Sequence, residues 1–234
     1  MISLLIYILI PIVIIVGFYI LYLIIPQWDG WLGSMKVKYR GKRTAVLTFD
    51  DGPDEPWTGR ILDILKNEEI KANFFVLGGK ALENPDLIKR IFNEGHEIGN
   101  HTFAHKKFLF RGSKSISEDL IMTSNIIQKI TGELPTLLRT PHGFRKLGLK
   151  KILSRLDLQL VPWTKGIWDT DGSNSERLFK RFGRRLANLE ILLLHDGTDE
   201  RLTTKEREAT VEVLPKIIDE YRKRGYAFKR ISEL

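Results

Sequence analysis

Hydrophobic residues fall into two regimes along the chain. Over 2–25 they are continuous, with 24 residues and no charged side chain. As a helix, that length covers a hydrocarbon core of roughly 30 Å. From Thr44 onward, short β-type runs alternate with stretches whose apolar positions recur three and four apart. Ala45-Val46-Leu47-Thr48-Phe49 reads as a buried strand that ends at Asp50-Asp51-Gly52-Pro53. Further strands are predicted at 72–77, 96–98, 137–139, 158–163, 191–194 and 227–231. Helices are predicted between them at 57–69, from Asn84-Pro85 to Gly95, 115–130, 147–156, 176–186 and about 205–223. Asn84 with Pro85 supplies a cap and first position, Ser115 with Glu118 a capping box, and Gly132 a stop.

Strands that alternate with helices imply a parallel sheet with helices outside it. Seven such units without a dinucleotide fingerprint predict a deformed parallel (β/α) barrel of about seven strands in the α/β class, preceded by one N-terminal transmembrane helix. A flavodoxin-like open sheet is the alternative. The chain therefore divides into a membrane anchor (1–25), a basic linker (26–43) and one folded domain (44–234). A cleaved signal peptide fits less well, because no basic region precedes the run and Pro26-Gln27-Trp28 offers no small-residue cleavage site. Trp28 and Trp31 sit where an interfacial aromatic belt is expected.

The chain of 234 residues has no cysteine, which excludes a disulfide framework, a thiolate metal site and a thiol nucleophile. Its net charge of +8 lies outside the first 25 residues and favours anionic partners such as headgroups or glycans. No nucleic-acid motif accompanies it, and no nucleic-acid partner is expected.

Chemistry-bearing residues gather just past predicted strand ends. Two adjacent carboxylates, Asp50 and Asp51, repel each other unless a cation lies beside them. His101 and His105, four apart, can converge on one metal. Arg139 ends the fourth strand, Asp169 lies beyond the fifth, and His195 ends the sixth. In parallel barrels that rim is where active sites are assembled. His96, inside its strand, reads as a core histidine with its hydrogen bonds met.

Thr48-Phe49-Asp50-Asp51-Gly52-Pro53, His101-Thr102-Phe103-Ala104-His105, Arg139-Thr140-Pro141-His142-Gly143, Trp163 with Asp169, and Leu193-Leu194-His195 resemble, in order and spacing, the motifs of the polysaccharide deacetylase family, the NodB-homology carbohydrate esterases. The resemblance spans about 44–231. It implies metal-dependent deacetylation of N-acetylated sugars in a polysaccharide such as peptidoglycan, chitin or a capsule. Asp51, His101 and His105 would hold one divalent ion, Zn2+ ahead of Co2+, Ni2+ or Mn2+. Asp50 would be the general base, Arg139 its holder, His195 the general acid and Asp169 the group that tunes it. His142, Pro141, Trp163 and Leu193 would bind substrate, His142 through its backbone N–H. Where the family commonly has Trp after the fourth-motif Asp, Thr170 stands here, and Asp171 is the other candidate for that role.

Two alternatives stay open on sequence. One is a deacetylase or deformylase of a lipid-linked amino sugar, and the other is a non-catalytic, membrane-tethered glycan-binding protein. Lys36, Lys38, Arg40, Lys42 and Arg43 follow the apolar run, so the positive-inside rule places the domain in the cytoplasm. The resemblance places it on the extracytoplasmic face with the acetylated glycan, and that side is the expectation carried forward.

Overall fold

The computed structural model describes residues 2–24, 41–109, 111–183, 186–198 and 207–234. Helix α1 (Ile2–Ile24) contains Pro11. Its continuously described side chains, 9–18, are mostly exposed. Among the described residues no helix is long and apolar enough to cross a membrane. Trp28, Trp31, Lys36, Lys38 and Arg40, with most of the predicted linker, lie outside the described residues.

The domain opens with β1 (Thr44–Asp50), buried at all seven positions. Then come α2 (Trp57–Asn67), β2 (Asn73–Val76), α3 (Gly78–Glu83), α4 (Pro85–Asn93), β3 (Glu97–Asn100), α5 (Ser113–Thr131), β4 (Leu137–Leu138), a 3-10 turn (Pro141–Gly143), α6 (Leu149–Arg155), β5 (Gln159–Leu160), β6 (Lys165–Gly166), α7 (Ser175–Phe182), β7 (Leu189–His195), α8 (Glu208–Lys223), β8 (Ala227–Phe228) and a closing turn (Ile231–Glu233). All recorded pairings are parallel, in the order β5-β4-β3-β2-β1-β7-β6. The strands curl into a half-barrel, and among the described residues β5 and β6 form an unpaired seam. β8 pairs only with Thr44 and Ala45 of β1, because β2 takes over that edge from Thr48 onward.

Alternation along β1 divides the core. Ala45, Leu47 and Phe49 join the large cluster beneath the helices, with Phe49 stacked on Phe74 at 5.1 Å. Val46 faces the other way, with Phe75, Leu137, Val161, Ile191 and Ile231. Ile231 comes from the closing turn, where its N–H donates to Asn73 Oδ1 at 3.1 Å and fills the N-terminal mouth. The chain enters at that same mouth: Arg43 donates to the Arg224 carbonyl at 2.9 Å.

Several expected boundaries moved. β6 was not predicted, since two residues including a glycine carry no periodic signal. α3 is not among the predicted helices, because two glycines, Gly78-Gly79, open it and glycine reads as a break. α5 begins at Ser113, and no side-chain hydrogen bond caps it, so the Ser115–Glu118 box does not form; Ser115 Oγ instead accepts from Arg111 Nη2. Asn84 sits at the N-cap of α4 without capping it, its amide turned to the Pro53 and Lys80 carbonyls. The 227–231 strand is cut to two residues by the turn that plugs the mouth. His96 is buried, and its Nδ1 accepts from the Ala72 N–H at 3.1 Å. Its Nε2 makes no hydrogen bond and has Glu94 Oε2 at 3.8 Å, so only half of the expected satisfaction is present; burial lowers its pKa to about 4.

Gly99 of β3 leaves space for Phe75, because a Cβ there would lie 2.5 Å from the ring. Gly99→Ala should therefore cost about 1–3 kcal/mol through overpacking. A lower urea midpoint at unchanged slope would register it, and wild-type stability would show that Phe75 yields freely.

Candidate active site

Parallel strands deliver their C-terminal ends to one rim, and neighbours in the sheet become neighbours there. Asp50 stands opposite His195 in the β1–β7 register. The loops that follow these two strands nest tightly. A Cβ at Gly52 would sit 2.1 Å from the Asp196 carboxylate, and one at Gly197 would sit 2.0 Å from the Asp51 carbonyl oxygen. No other residue fits at either place.

Asp51, His101 and His105 are buried, with one ligand atom from each within 4.8 Å of the others. Asp51 Oδ1 lies 3.3 Å from His101 Nε2 and 3.2 Å from His105 Nε2. Donor atoms placed 2.0–2.1 Å from a tetrahedral ion are about 3.3 Å apart. The tautomer of His101 points the same way: its Nδ1 is 2.8 Å from the Arg139 carbonyl, which can only accept. A neutral ring therefore turns a bare Nε2 toward Asp51. Asp51 Oδ1 is itself a buried oxygen with no hydrogen bond. Lone pairs facing one another in a buried pocket fit a cation. Burial pushes the Asp51 carboxyl up, but the imidazoles of His101, His105 and His195 outweigh it and hold it well below the usual carboxylate range.

Backbone strain gathers here as well. Asp51 (φ 73), Thr102 (φ 72), His105 (φ 52) and His142 (φ 56) are non-glycine residues in the left-handed region, a conformation that costs on the order of 1–3 kcal/mol each. The His101–His105 loop is clamped from outside by α3, where Gly78 N–H and Gly79 N–H donate to the Thr102 and Phe103 carbonyls at 2.9 and 3.0 Å.

Arg139 is 1% exposed. Its Nη1 donates to Asp50 Oδ1 at 2.8 Å and to Thr48 Oγ1 at 2.7 Å. Nε and Nη2 reach the Val161 and Pro162 carbonyls, and the guanidinium lies 4.3 Å over the Phe75 ring. Burial lowers its pKa, against which the Asp50 carboxylate works. Asp50 Oδ2 is left toward the cluster, 3.8 Å from His101 Nε2.

His195 Nδ1 lies 2.8 Å from Asp169 Oδ1, and its backbone N–H donates to Asp169 Oδ2. Thr210 Oγ1 donates to that same oxygen at 3.0 Å. Burial pushes the imidazole pKa down, but Asp169 reverses this and, with Asp51 and Asp50, raises it to about 9. Asp171 faces outward and pairs with Arg181 at 2.7 Å.

A cavity of about 130 Å³ joins these groups. Asp50, Asp51, His101, His105, His195, His142, Trp163 and Leu193 line it, with Thr140, Gly143 and Thr170. Pro141, expected among the substrate-binding residues, is buried in the turn and does not line it. The His142 ring is exposed and lies 4.4 Å from that of His105. Sequence reasoning missed Thr48, Thr210 and Asp196. Thr48 was within reach, since alternation puts it on the Asp50 face of β1. Thr210 approaches from α8, and nothing local marks it. Asp196 is a buried acid that accepts from Thr58 Oγ1 at 2.7 Å, and burial raises its pKa to about 7.

The family described as polysaccharide deacetylase matches residues 38–161. A peptidoglycan-N-acetylglucosamine deacetylase of Bacillus cereus (strain ATCC 14579) is 33% identical over 195 residues, covering 82% of this chain and 88% of its own. The peptidoglycan-N-acetylmuramic acid deacetylase PdaA of Bacillus subtilis (strain 168) is 34% identical over 214 residues, covering 90% and 77%. Among solved structures, the Bc1960 peptidoglycan N-acetylglucosamine deacetylase superposes with a TM-score of 0.76 at 30% identity, over 82% of this chain and 87% of its own.

The donor set makes a direct prediction. Purified protein should carry about one equivalent of a divalent metal by elemental analysis, and the His101→Ala/His105→Ala variant should carry none. Tight stoichiometric metal in that variant would move the ligands elsewhere.

Proposed function

The chain belongs to the polysaccharide deacetylase family, and from that premise we propose that it is a membrane-anchored, metal-dependent enzyme that removes N-acetyl groups from amino sugars of a cell-wall polysaccharide. At the coarser level it is a carbohydrate deacetylase, a hydrolase. The observation that carries the finer reading is the pairing of two held groups across one cavity: Asp50 fixed by Arg139, and His195 fixed by Asp169, with the Asp51–His101–His105 donor set between them.

In this reading Asp51, His101 and His105 hold the ion, with Zn2+ first among the candidates for a two-imidazole, one-carboxylate set. A divalent ion there supplies Lewis-acid polarisation of the acetyl carbonyl and a lower pKa for the attacking water. Asp50 takes the proton from that water through Oδ2, since Oδ1 is engaged by Arg139. His195, protonated below about pH 9, gives its Nε2 proton to the departing amine, its Nδ1 proton being held by Asp169. The His142 N–H donates to the developing oxyanion. Leu193 and Trp163 enclose the acetyl methyl and exclude water around it.

The anchor rests on the 24 uncharged residues at 2–25. An extracytoplasmic domain rests on the relatives' names, since peptidoglycan lies outside the membrane. Residues 44–234 form the catalytic domain, and 26–43 connect the two.

Asp50→Asn should lower kcat by roughly 10²–10⁴ while metal content and fold stay intact; near-normal turnover would remove Asp50 as the base. Asp169→Asn removes the carboxylate that raises the His195 pKa. The basic limb of the pH–rate profile should then fall from near 9 toward the ordinary imidazole range, whereas a reduced rate with an unmoved limb would make Asp169 a steric support only. Protease added to intact cells should degrade the domain. Protection until lysis would reverse the topology and favour a lipid-linked substrate.

A further inference from the structure

Thr102 and Phe103 follow His101 in the loop to His105, and all four of their main-chain polar groups are bonded. Their carbonyls accept from Gly78 N–H and Gly79 N–H. The Thr102 N–H donates to Asn100 Oδ1 at 2.8 Å, and the Phe103 N–H donates to Asp119 Oδ1 at 2.6 Å. The bond to Asp119 is the shortest of the four and the one that ends on a carboxylate. Charge-assisted bonds of this kind are roughly twice as strong as neutral ones.

Asp119 is buried on α5, and its second oxygen is also engaged. Oδ2 accepts from Arg111 Nη1 at 2.6 Å. Arg111 Nη2 is held in turn by the Ser115 carbonyl and hydroxyl, each at 3.0 Å. The Arg111 carbonyl accepts from the Lys146 ammonium at 2.7 Å. Lys146 follows the Pro141–Gly143 turn, whose His142 ring lies 4.4 Å from that of His105. A continuous path of contacts therefore runs from the Phe103 N–H through Asp119 and Arg111 to Lys146. One end is the loop that carries both imidazoles of the donor set, and the other is the segment that carries the His142 N–H.

The backbone at both ends needs such support. Thr102, His105 and His142 all have positive φ, and positions of that kind persist where their surroundings over-determine them. Ligand distances around a metal ion are held to about 0.2 Å. A loop that relaxes by more than this spoils the donor geometry while the fold survives. α5 is anchored well enough to serve as the reference: Thr123 Oγ1 donates to the Asp119 carbonyl at 3.0 Å, and Asn100 Nδ2 donates to the Leu120 carbonyl at 2.9 Å.

We propose that Asp119 is a positioning residue for this centre: Oδ1 fixes the separation of His101 and His105, and Oδ2, through Arg111 and Lys146, fixes the His142 turn relative to them. The kinetic half of this inference rests on the deacetylase reading of the site, and the hold on the two histidines rests on the donor set alone. Asp119 lines neither the cavity nor the donor cluster, so it acts only through the segments it holds.

The test separates the two oxygens in the full chain, with Co2+ as the probe of the donor set, read by visible absorption and by competition with a chelator. Asp119→Ala removes both oxygens. It should bind Co2+ about ten- to a hundredfold more weakly, with an altered spectrum, and the Phe103 amide should lose protection from hydrogen exchange. Asp119→Asn keeps an acceptor for the Phe103 N–H and loses the Arg111 pair, and Arg111→Gln loses the same pair from the other side. Both should retain wild-type Co2+ affinity and spectrum, and both should lower kcat on an N-acetylglucosamine oligomer about tenfold at unchanged KM. The double variant Asp119→Asn/Arg111→Gln should be no slower than either single one, since one link is broken in all three. Wild-type Co2+ affinity in Asp119→Ala overturns the hold on the histidines. Wild-type kcat in the two single variants, or effects that add in the double one, overturns the link to His142. If Asp119→Ala does not fold, Asp119→Glu, which keeps the charge and displaces both oxygens by a methylene, should show a smaller loss of Co2+ affinity, and wild-type affinity there overturns the inference. Failure of the unaltered chain to release acetate overturns the deacetylase reading, and the Co2+ and exchange results then decide this one by themselves.

Discussion

One residue ties the two halves of the site together. Arg139 is closed off from water, and its guanidinium holds Asp50 through Nη1 while its carbonyl takes the Nδ1 proton of His101. Side chain and main chain of a single residue thus orient both a carboxylate and an imidazole of the donor cluster. A buried cation carries a desolvation penalty of several kcal/mol, and such pairs are weak evidence for net stability. What Arg139 contributes is a fixed geometry. Its contacts reach Thr48 on β1, Val161 and Pro162 beyond β5, and the face of Phe75 on β2, so the rim of the half-barrel is indexed on one planar fork.

The same logic runs through the backbone. Asp51, Thr102, His105 and His142 adopt a conformation that side chains other than glycine disfavour. Each is held there by a specific neighbour: the nested Gly52 and Gly197 loops, the clamp from Gly78 and Gly79, and the turn at Pro141–Gly143. The core beneath supplies the stability that this strain draws on. Where a fold tolerates strained positions, they tend to mark what the fold is for.

Much of this was legible in the residues. β1 was visible because its seven buried positions are filled largely by apolar and β-branched residues, Ala45 to Leu47 with Thr48 and Phe49, and the helices α2, α4 and α8 because each buries one face. Asp50, Asp51, His101, His105, Arg139, Asp169 and His195 could be gathered on one rim because every one of them ends or follows a strand in a parallel sheet. What could not be read were interactions between distant segments. Thr210 reaches Asp169 across 41 positions, and β6 is a strand only because β7 offers it a partner. The Ser115 capping box failed for a related reason: Arg111 competes for the serine oxygen, and no local pattern carries that competition. Pro141 matched a motif and is buried in the 3-10 turn that places its neighbours, outside the lining of the 130 Å³ cavity.

β1 also fixes a direction. Thr44 stands at the N-terminal mouth, next to the Arg43–Arg224 contact, while Asp50, about 20 Å further along by strand rise, opens the opposite rim. Whatever precedes residue 43 is therefore attached at the pole farthest from the cavity. In the anchored arrangement proposed above, the strand would act as a boom: the attached end would stay behind and the reacting end be carried outward, onto material lying beyond the anchor within a radius set by the height of the domain and the length of the preceding chain.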